Sequence, residues 1–410
     1  MSQPAQPLDI ADTLTQLVEA GGSDLCLKVG NRPLIRVDGE LRWLDSTAPE
    51  LAPADTMEVL HSVLPDVRMK EFETLHEIDF AYSVQNVARF RVNAYVQRGS
   101  VSMVFRVVPY AIRSLSELGM PDAIRTLAEE ERGIILVTGT TGCGKSTTLA
   151  AMIEHINETA FKHIITIEDP IEYLHRDRRS AIDQREVGTD TDSFEIALRR
   201  VMRQDPDVIL IGEMRDQTTV HTALAAAETG HLVLSTVHTL DAPEAINRIL
   251  DFFPPTQHQQ TRAMLAGTIK GIISQRLVPR ADGRGRVAIT EILTMTGRVH
   301  DLIMDPKRGG ELTDVIQEGA YYGMQTFDQA LYAALQSGDV SMRDALHFAT
   351  RPHDLKLLVG AEGHLHTSME DVGELKAGPT QDGPAAKPPA SARQRGGSVP
   401  PIAPPASAVR

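Results

Sequence analysis

The 410-residue chain is long enough for two or three domains with separate cores, and its 42% hydrophobic content is that of a globular protein. Lysine and arginine total 41 against 55 acids, a net charge of −14, which argues against a generic nucleic-acid motor whose affinity rests on neutralising phosphates. Cys26 and Cys143 lie far apart and supply neither a disulfide framework nor a Cys-x-x-Cys metal site. With no apolar run of membrane-spanning length and no basic, apolar leader, the expectation is a cytoplasmic enzyme.

Residues 9 to about 110 read as a mixed domain with more strand than helix. A short helix over 9–20 stops at Gly21-Gly22, and strands are predicted at 24–29, 34–37 and 41–44, with Asp38-Gly39 as a hairpin turn. Helices at 53–64 and 66–74 follow. Strands resume at 79–84, 89–96 and 100–107, with a turn at Arg98-Gly99. Strand patterning stops between Pro109 and Pro121, and a polar helix over 122–131 leads into the apolar run 134–137.

Three more apolar strands, 164–167, 208–211 and 232–234, alternate with helices or crossovers, which implies a parallel sheet with covered faces. One helix has Asp192 as its expected N-cap with Glu195 three residues on; another runs from Asp216 to Gly230. From Pro243 the pattern is helical: 244–250, 257–275, 297–304, 311–318, 327–337 and 341–348, with a strand-like edge piece at 285–291. After about Lys376 the chain turns to Pro, Ala, Gly and Ser, too little apolar surface to fold. The expected division is therefore 1–112, an N-terminal domain; 113–376, a core that becomes helical from about 243; and 377–410, a disordered tail.

Between the run 134–137 and a helical pattern of Leu149, Met152, Ile153 and Ile156 lies Gly139-Thr140-Thr141-Gly142-Cys143-Gly144-Lys145-Ser146, which matches G-x-x-x-x-G-K-[ST]. Its glycines let backbone N–H groups approach phosphate oxygens, Lys145 brings a charge to the β/γ-phosphates, and Ser146 offers a hydroxyl to Mg²⁺ at a helix start. With Thr147, this stretch is the candidate ATP site. Cys143 has two readings: a thiolate favoured by the helix start and Lys145, or a small residue that simply packs.

Hydrolysis also needs a metal-side acid, an oriented water and a cation at the transition state. Glu213 follows the strand 208–211 and Gly212, where a Walker B acid emerges from a parallel sheet. Glu168, Asp169 and Glu172 cluster after the strand 164–167, and the pattern alone does not choose among them as the acid that holds the water. His231 and His238 flank the strand L-V-L-S-T-V seven residues apart, which puts them on opposite faces of an extended strand.

Together these segments resemble the secretion ATPases that power type IV pili and type II secretion, and within them the pilus retraction ATPases of the PilT/PilU family. The phosphate loop, I-T-I-E-D-P-I-E-Y-L-H, Q-R-E-V-G-T-D-T-D-S-F-E, D-P-D-V-I-L-I-G-E-M-R-D and A-E-T-G-H-L-V-L-S-T-V-H occur in the family's order, and the likeness spans residues 9 to about 360. The resemblance implies Glu172 as the acid polarising water, Glu213 acting through Mg²⁺, and His231 with His238 as a histidine box. It also implies that Arg91 and Arg106 reach nucleotide from the N-terminal domain, with Arg89 and Arg98 close in sequence.

G-R-V-H-D-L-I stands where PilT-like chains carry A-I-R-N-L-I, whereas A-Y-V-Q-R-G, V-G-T-D-T-D-S-F-E and G-M-Q-T-F-D-Q-A-L-Y favour a PilU-like member. G-E-M-R-D is PilT-flavoured, and the four-cysteine zinc insertion of pilus-assembly relatives is missing. The implied fold is α/β: a PAS-like N-terminal domain hinged near residues 109–121 to a RecA-like P-loop core with helical additions. Six chains would form a ring, with arginines crossing a subunit junction to complete each site. The implied partners are a PilT-like ATPase and an inner-membrane platform protein of the PilC type, with the ring at the inner face of the inner membrane at the pilus base. Two rivals share the core: a nucleotide-gated accessory module docking on a PilT-type ATPase without its own turnover, and a DNA-translocating ATPase disfavoured by the acidic balance.

Overall fold

The computed structural model describes residues 8–37, 39–85, 87–108 and 112–361. Met1–Leu358 is one compact unit and Val359–Arg410 a second, of which 359–361 are described. The expected tail at 377–410, Asp38 of the expected turn and residues 109–111 of the expected hinge lie outside the described residues.

Asp9 starts α1 (Ile10–Glu19) by accepting the N–H groups of Ala11 and Asp12 at 3.0 and 3.1 Å. The chain then forms β1 (Asp24–Lys28), β2 (Leu34–Val37) and β3 (Glu40–Trp43), α2 (Pro53–Val63) and α3 (Asp66–Leu75), and a meander of β4 (Glu77–Val84), β5 (Ala88–Gln97) and β6 (Ser100–Val108). The six strands make one antiparallel sheet in the order β3-β2-β1-β6-β5-β4. Two left-handed residues, Arg98 (φ 49°) and Gly99 (φ 76°), close the β5–β6 hairpin, the geometry that matches the strands' twist. On β5, Phe90, Val92 and Ala94 face the core, so Arg89 and Arg91 share the other face.

The second sheet grows around β7 (Gly133–Thr138), reached through α4 (Asp122–Ala128). After α5 (Lys145–Thr159) come β8 (His163–Glu168), β9 (Ala181–Glu186), α6 (Phe194–Val201), β10 (Val208–Ile211), α7 (Gln217–Glu228) and β11 (Leu232–Val237). Then α8 (Ala242–Asp251) and α9 (His258–Thr268) precede β12 (Ile269–Pro279) and β13 (Arg286–Thr294). Strand order is β13-β12-β7-β11-β10-β8-β9, parallel except for the β12–β13 edge pair.

Alternate residues of β7 serve alternate faces: Ile134 and Leu136 join the core formed with α6 to α9, while Ile135 and Val137 join that formed with α4 and α5. Burial on both faces explains why these strands read as unbroken apolar runs. The chain ends in α10 (Gly297–Met304), α11 (Leu312–Glu318), α12 (Phe327–Gln336), α13 (Met342–Phe348) and α14 (Pro352–Ala361).

Two expectations need correction, and one strand has no counterpart among the predicted elements. The helix predicted over 257–275 stops at Thr268, and the remainder begins β12, which pairs in parallel with β7. Ile269, Ile272 and Ile273 fit a strand buried on both faces, and at Gly271 a Cβ would lie 2.6 Å from a Leu127 methyl and 3.1 Å from the Leu293 carbonyl oxygen, so an alanine there would have to displace the Leu127 side chain. The α6 cap is Ser193, whose hydroxyl accepts the Ile196 N–H at 3.2 Å, one residue after the expected Asp192. The parallel edge strand β9 had no apolar signal to reveal it: its sequence is A-I-D-Q-R-E.

Candidate active site

Strand β7 delivers the phosphate loop at the carboxyl edge of the sheet. Gly139 (φ 139°), Gly142 (φ 78°) and Gly144 (φ 94°) occupy backbone conformations unsuited to other residues. At Gly139 there is no room either: a Cβ would stand 2.5 Å from both Cys143 Sγ and the Gln275 carbonyl oxygen. The buried Lys145 donates through Nζ to the carbonyls of Gly139 (2.8 Å) and Thr140 (3.1 Å), so its charge is held inside the curve of the loop.

Gln275 of β12 braces the loop from beneath, and no motif announces it. Its Nε2 donates to the Cys143 carbonyl at 2.8 Å and its Oε1 accepts from Thr148 Oγ1 at 2.7 Å. The available signal is a polar residue within an apolar strand, which must find partners when buried. Thr147 pairs with the Tyr173 hydroxyl at 2.7 Å, linking the loop to the acidic segment. Cys143 is 4% exposed, and burial pushes its thiol up against the smaller opposing effect of Lys145. Of the two readings, burial supports Cys143 as a small residue that packs.

A cavity of about 570 Å³ opens in front of this loop, within the size range of small-molecule sites. Lys145, Ser146 and Thr147 line it together with Thr141, Gly142 and Gly144, while Gly139, Thr140 and Cys143 face an adjoining cavity of about 340 Å³. The three acids beyond β8 have different surroundings. Glu168 accepts from Thr166 Oγ1 (2.7 Å) and Gln184 Nε2 (3.2 Å), and desolvation, with the Glu172 charge nearby, pushes its carboxyl up. Asp169 stands 3.9 Å from Arg215. Glu172 is exposed at the cavity wall and, among the described residues, its carboxylate has no hydrogen-bond or ion-pair partner.

Glu213 follows Gly212 at the end of β10. Gly212 N–H donates to Ile167 of β8 at 2.8 Å and its carbonyl accepts from Thr236 Oγ1 of β11 at 2.7 Å, so both neighbouring strands fix the acid's base. Its carboxylate is shared by Arg215 Nε (2.8 Å) and His238 Nε2 (3.1 Å). His238 thus enters the cavity. His231 does not: it sits at the other end of β11, its Nδ1 3.0 Å from the Ala226 carbonyl, beside Arg132, Lys162 and Asp207 in a separate cleft. A six-residue strand spans about 20 Å, so strand length rather than facing direction separates the two histidines.

Arg91 and Arg106 are direct cross-strand neighbours on β5 and β6, and both line the cavity. Arg106 is held by Asp24 of β1 at 2.8 Å. These two share a cavity with the phosphate loop of their own chain. Arg98 lies in the hairpin turn, roughly 20 Å along the strand from Arg91, and Arg89 is engaged elsewhere.

The donors fit Mg²⁺. Ser146 and Glu213 present oxygens to the same cavity, and among the described residues no three His, Cys, Asp or Glu side chains cluster as a metal cage. That combination suits a hard cation bound chiefly by substrate phosphates and water. Among the described residues no helix is long and apolar enough to cross a membrane.

Residues 36–347 match the sequence model of the type II/IV secretion system protein family. The type IV pilus ATPase PilU of Pseudomonas aeruginosa is 42% identical over 385 residues, 93% of this chain and 99% of that protein. The type IV pilus retraction ATPase PilT of the same organism is 42% identical over 347 residues, 85% of this chain and all of its own length. A crystal structure of the pilus retraction motor PilT with bound ADP superposes with a TM-score of 0.78 at 44% identity, covering 85% of this chain and 99% of that one. The chain belongs to the type II/IV secretion system protein family, among the type IV pilus ATPases of the PilT and PilU kind.

Proposed function

We propose that this chain is a PilU-like, ATP-hydrolysing motor of type IV pilus retraction. The observation that carries the reading is convergence: the phosphate loop, Glu172, Glu213 with His238, and the Arg91–Arg106 pair, drawn from both sheets, face one cavity. Phosphate entering the loop would draw Lys145 from the Gly139 and Thr140 carbonyls to the β/γ oxygens. Mg²⁺, held by Ser146 and through water by Glu213, would neutralise charge developing on the phosphates. Glu172, exposed at the cavity wall and without a carboxylate partner among the described residues, orients the attacking water, and Arg91 and Arg106 offset charge in the transition state.

Assembly as a homo-hexamer at the inner face of the inner membrane, at the pilus base, belongs to the same reading. So do contacts with a PilT-like ATPase and a platform protein of the PilC type, driven by domain rotation about residues 109–121. The longer alignment with PilU than with PilT supports the PilU-like assignment.

The purified chain, assayed with and without Mg²⁺, DNA and a PilT-like partner, should hydrolyse ATP with Mg²⁺ and be indifferent to DNA. Cells lacking the gene should extend pili that withdraw slowly or not at all. Absence of turnover under every condition, or normal withdrawal in the deletion strain, would overturn the reading.

A further inference from the structure

Arg89 lies two residues from Arg91 on the same face of β5, but it is not in the cavity. Its Nη2 instead crosses to the core sheet and donates at 3.1 Å to Oε2 of Glu186, the last residue of β9. Glu186 is 3% exposed, and its carboxylate carries more than this one bond. The same Oε2 accepts the backbone N–H of Ile171 at 3.0 Å, while Oε1 accepts from Thr189 Oγ1 at 3.1 Å. Ile171 is itself buried and immediately precedes Glu172.

One buried carboxylate therefore holds two things the reaction needs in place. Through Arg89 it anchors the strand that carries Arg91, and through Ile171 it anchors the backbone that carries Glu172. The β9 end is braced in turn: the Glu186 N–H donates to Asp190 Oδ2 at 2.8 Å, and the Val187 N–H to the Glu168 carbonyl at 2.9 Å. A charge-assisted bond to a buried acid is a strong anchor, and Arg89 Nε, buried with no acceptor among the described residues, leaves Glu186 as the guanidinium's anionic partner.

We propose that Glu186 and Arg89 are positioning residues of the ATPase, a clamp that, while the two sheets stand as they do here, holds the segments carrying Arg91 and Glu172 at the cavity and that opens when the domains rotate. The proposal rests on the ATPase reading above. Neither residue lines the cavity; their effect is on the step that needs cation and oriented water together.

The test uses the full-length chain and compares kcat, KM for Mg-ATP, affinity for a fluorescent ATP analogue and melting temperature. The variants are Arg89→Gln, Glu186→Gln, the double variant and Arg89→Lys. Glutamine at 186 keeps an oxygen for the Ile171 N–H and removes the charge that holds Arg89. Each Gln variant should lower kcat about tenfold or more while KM and analogue affinity change less than about twofold, the pattern of lost alignment rather than lost binding. The double variant should be no worse than the poorer single, because both break one contact, and Arg89→Lys should recover part of the rate.

Wild-type kcat in the single variants, multiplying losses in the double, or a kcat loss that follows melting temperature and analogue affinity would each overturn the clamp. If Glu186→Gln does not fold, the two Arg89 variants, at the more exposed partner, decide the matter by the same kcat and KM criteria. A wild-type chain without turnover removes the ATPase reading itself, whereas wild-type turnover matched by the variants removes only the clamp.

Discussion

The two ends of the core sheet are built from the same strands and hold opposite contents. At the carboxyl ends of β7, β8, β10 and β11 stand Lys145, Glu172, Glu213 and His238, around a cavity of about 570 Å³. At the amino ends, Arg132, Lys162, Asp207 and His231 line a wider cleft, where Lys162 pairs with Asp207 at 3.8 Å and His231 leans on the end of the preceding helix α7. Parallel strands joined by helices bring every strand-to-helix loop to one edge, and that is where residues far apart in sequence meet. Proximity in sequence counts for little: Lys145 and Glu213 share a site across 68 positions, whereas His231 and His238, seven apart, do not.

The comparison breaks most directly at the carboxyl edge. Lys145→Ala should abolish nucleotide binding, and turnover with it, because no other loop cation replaces it. Glu172→Ala and Glu213→Ala should retain most binding and lose turnover by about 10²-fold or more, since they act on water and metal rather than phosphate capture. Equilibrium binding of a labelled ATP analogue together with single-turnover hydrolysis separates the two classes. A Glu213→Ala chain that hydrolyses normally would refute the assignment.

The histidines sharpen the contrast at smaller cost. His238→Ala removes a partner 3.1 Å from Glu213 and should lower kcat about tenfold, the worth of a hydrogen bond to a charged group. His231→Ala should change kcat less than about twofold, because its ring meets a helix carbonyl and Thr229 outside the cavity. Equal losses in steady-state assays of the two variants would mean that the amino edge takes part in hydrolysis.

Legibility followed the same division. The phosphate loop, Glu213 and the alternation of strand and helix are local patterns, and the corresponding elements fall within a few residues of their predicted bounds. Residues 269–275 of β12 read as a continuation of the preceding helix because an apolar run buried on both faces has no period to betray it, and Gln275 is hidden with them. Choosing among Glu168, Asp169 and Glu172 needed their surroundings: only the fold shows that Glu168 is occupied by Thr166 and Gln184 while Glu172 is open. The Arg89–Glu186 bond joins residues 97 positions apart in different sheets, and no sequence periodicity foreshadows it.

An effect on stability rather than turnover is expected behind His238, where the chain turns into α8. Glu291 of β13 is buried, and its Oε1 accepts the N–H of Ala242, the first residue of that helix, at 2.9 Å. Desolvation raises its carboxyl from 4.5 to about 7, with Asp241 pushing the same way and Arg276 and the Ala242 N–H opposing. Between pH 4.5 and 7 the folded chain therefore binds a proton that the unfolded chain releases, so this group's contribution falls as pH rises through that window and is level above it. The difference is worth about 3 kcal/mol. Glu291→Gln keeps an acceptor for Ala242 opposite Ser274 on β12 and cannot ionise. The variant should melt a few degrees above wild type at pH 8 and near it at pH 5. Melting curves that run parallel for the two chains from pH 5 to 8 would show that Glu291 keeps its charge in the fold, and that α8 starts against a carboxylate rather than a neutral acid.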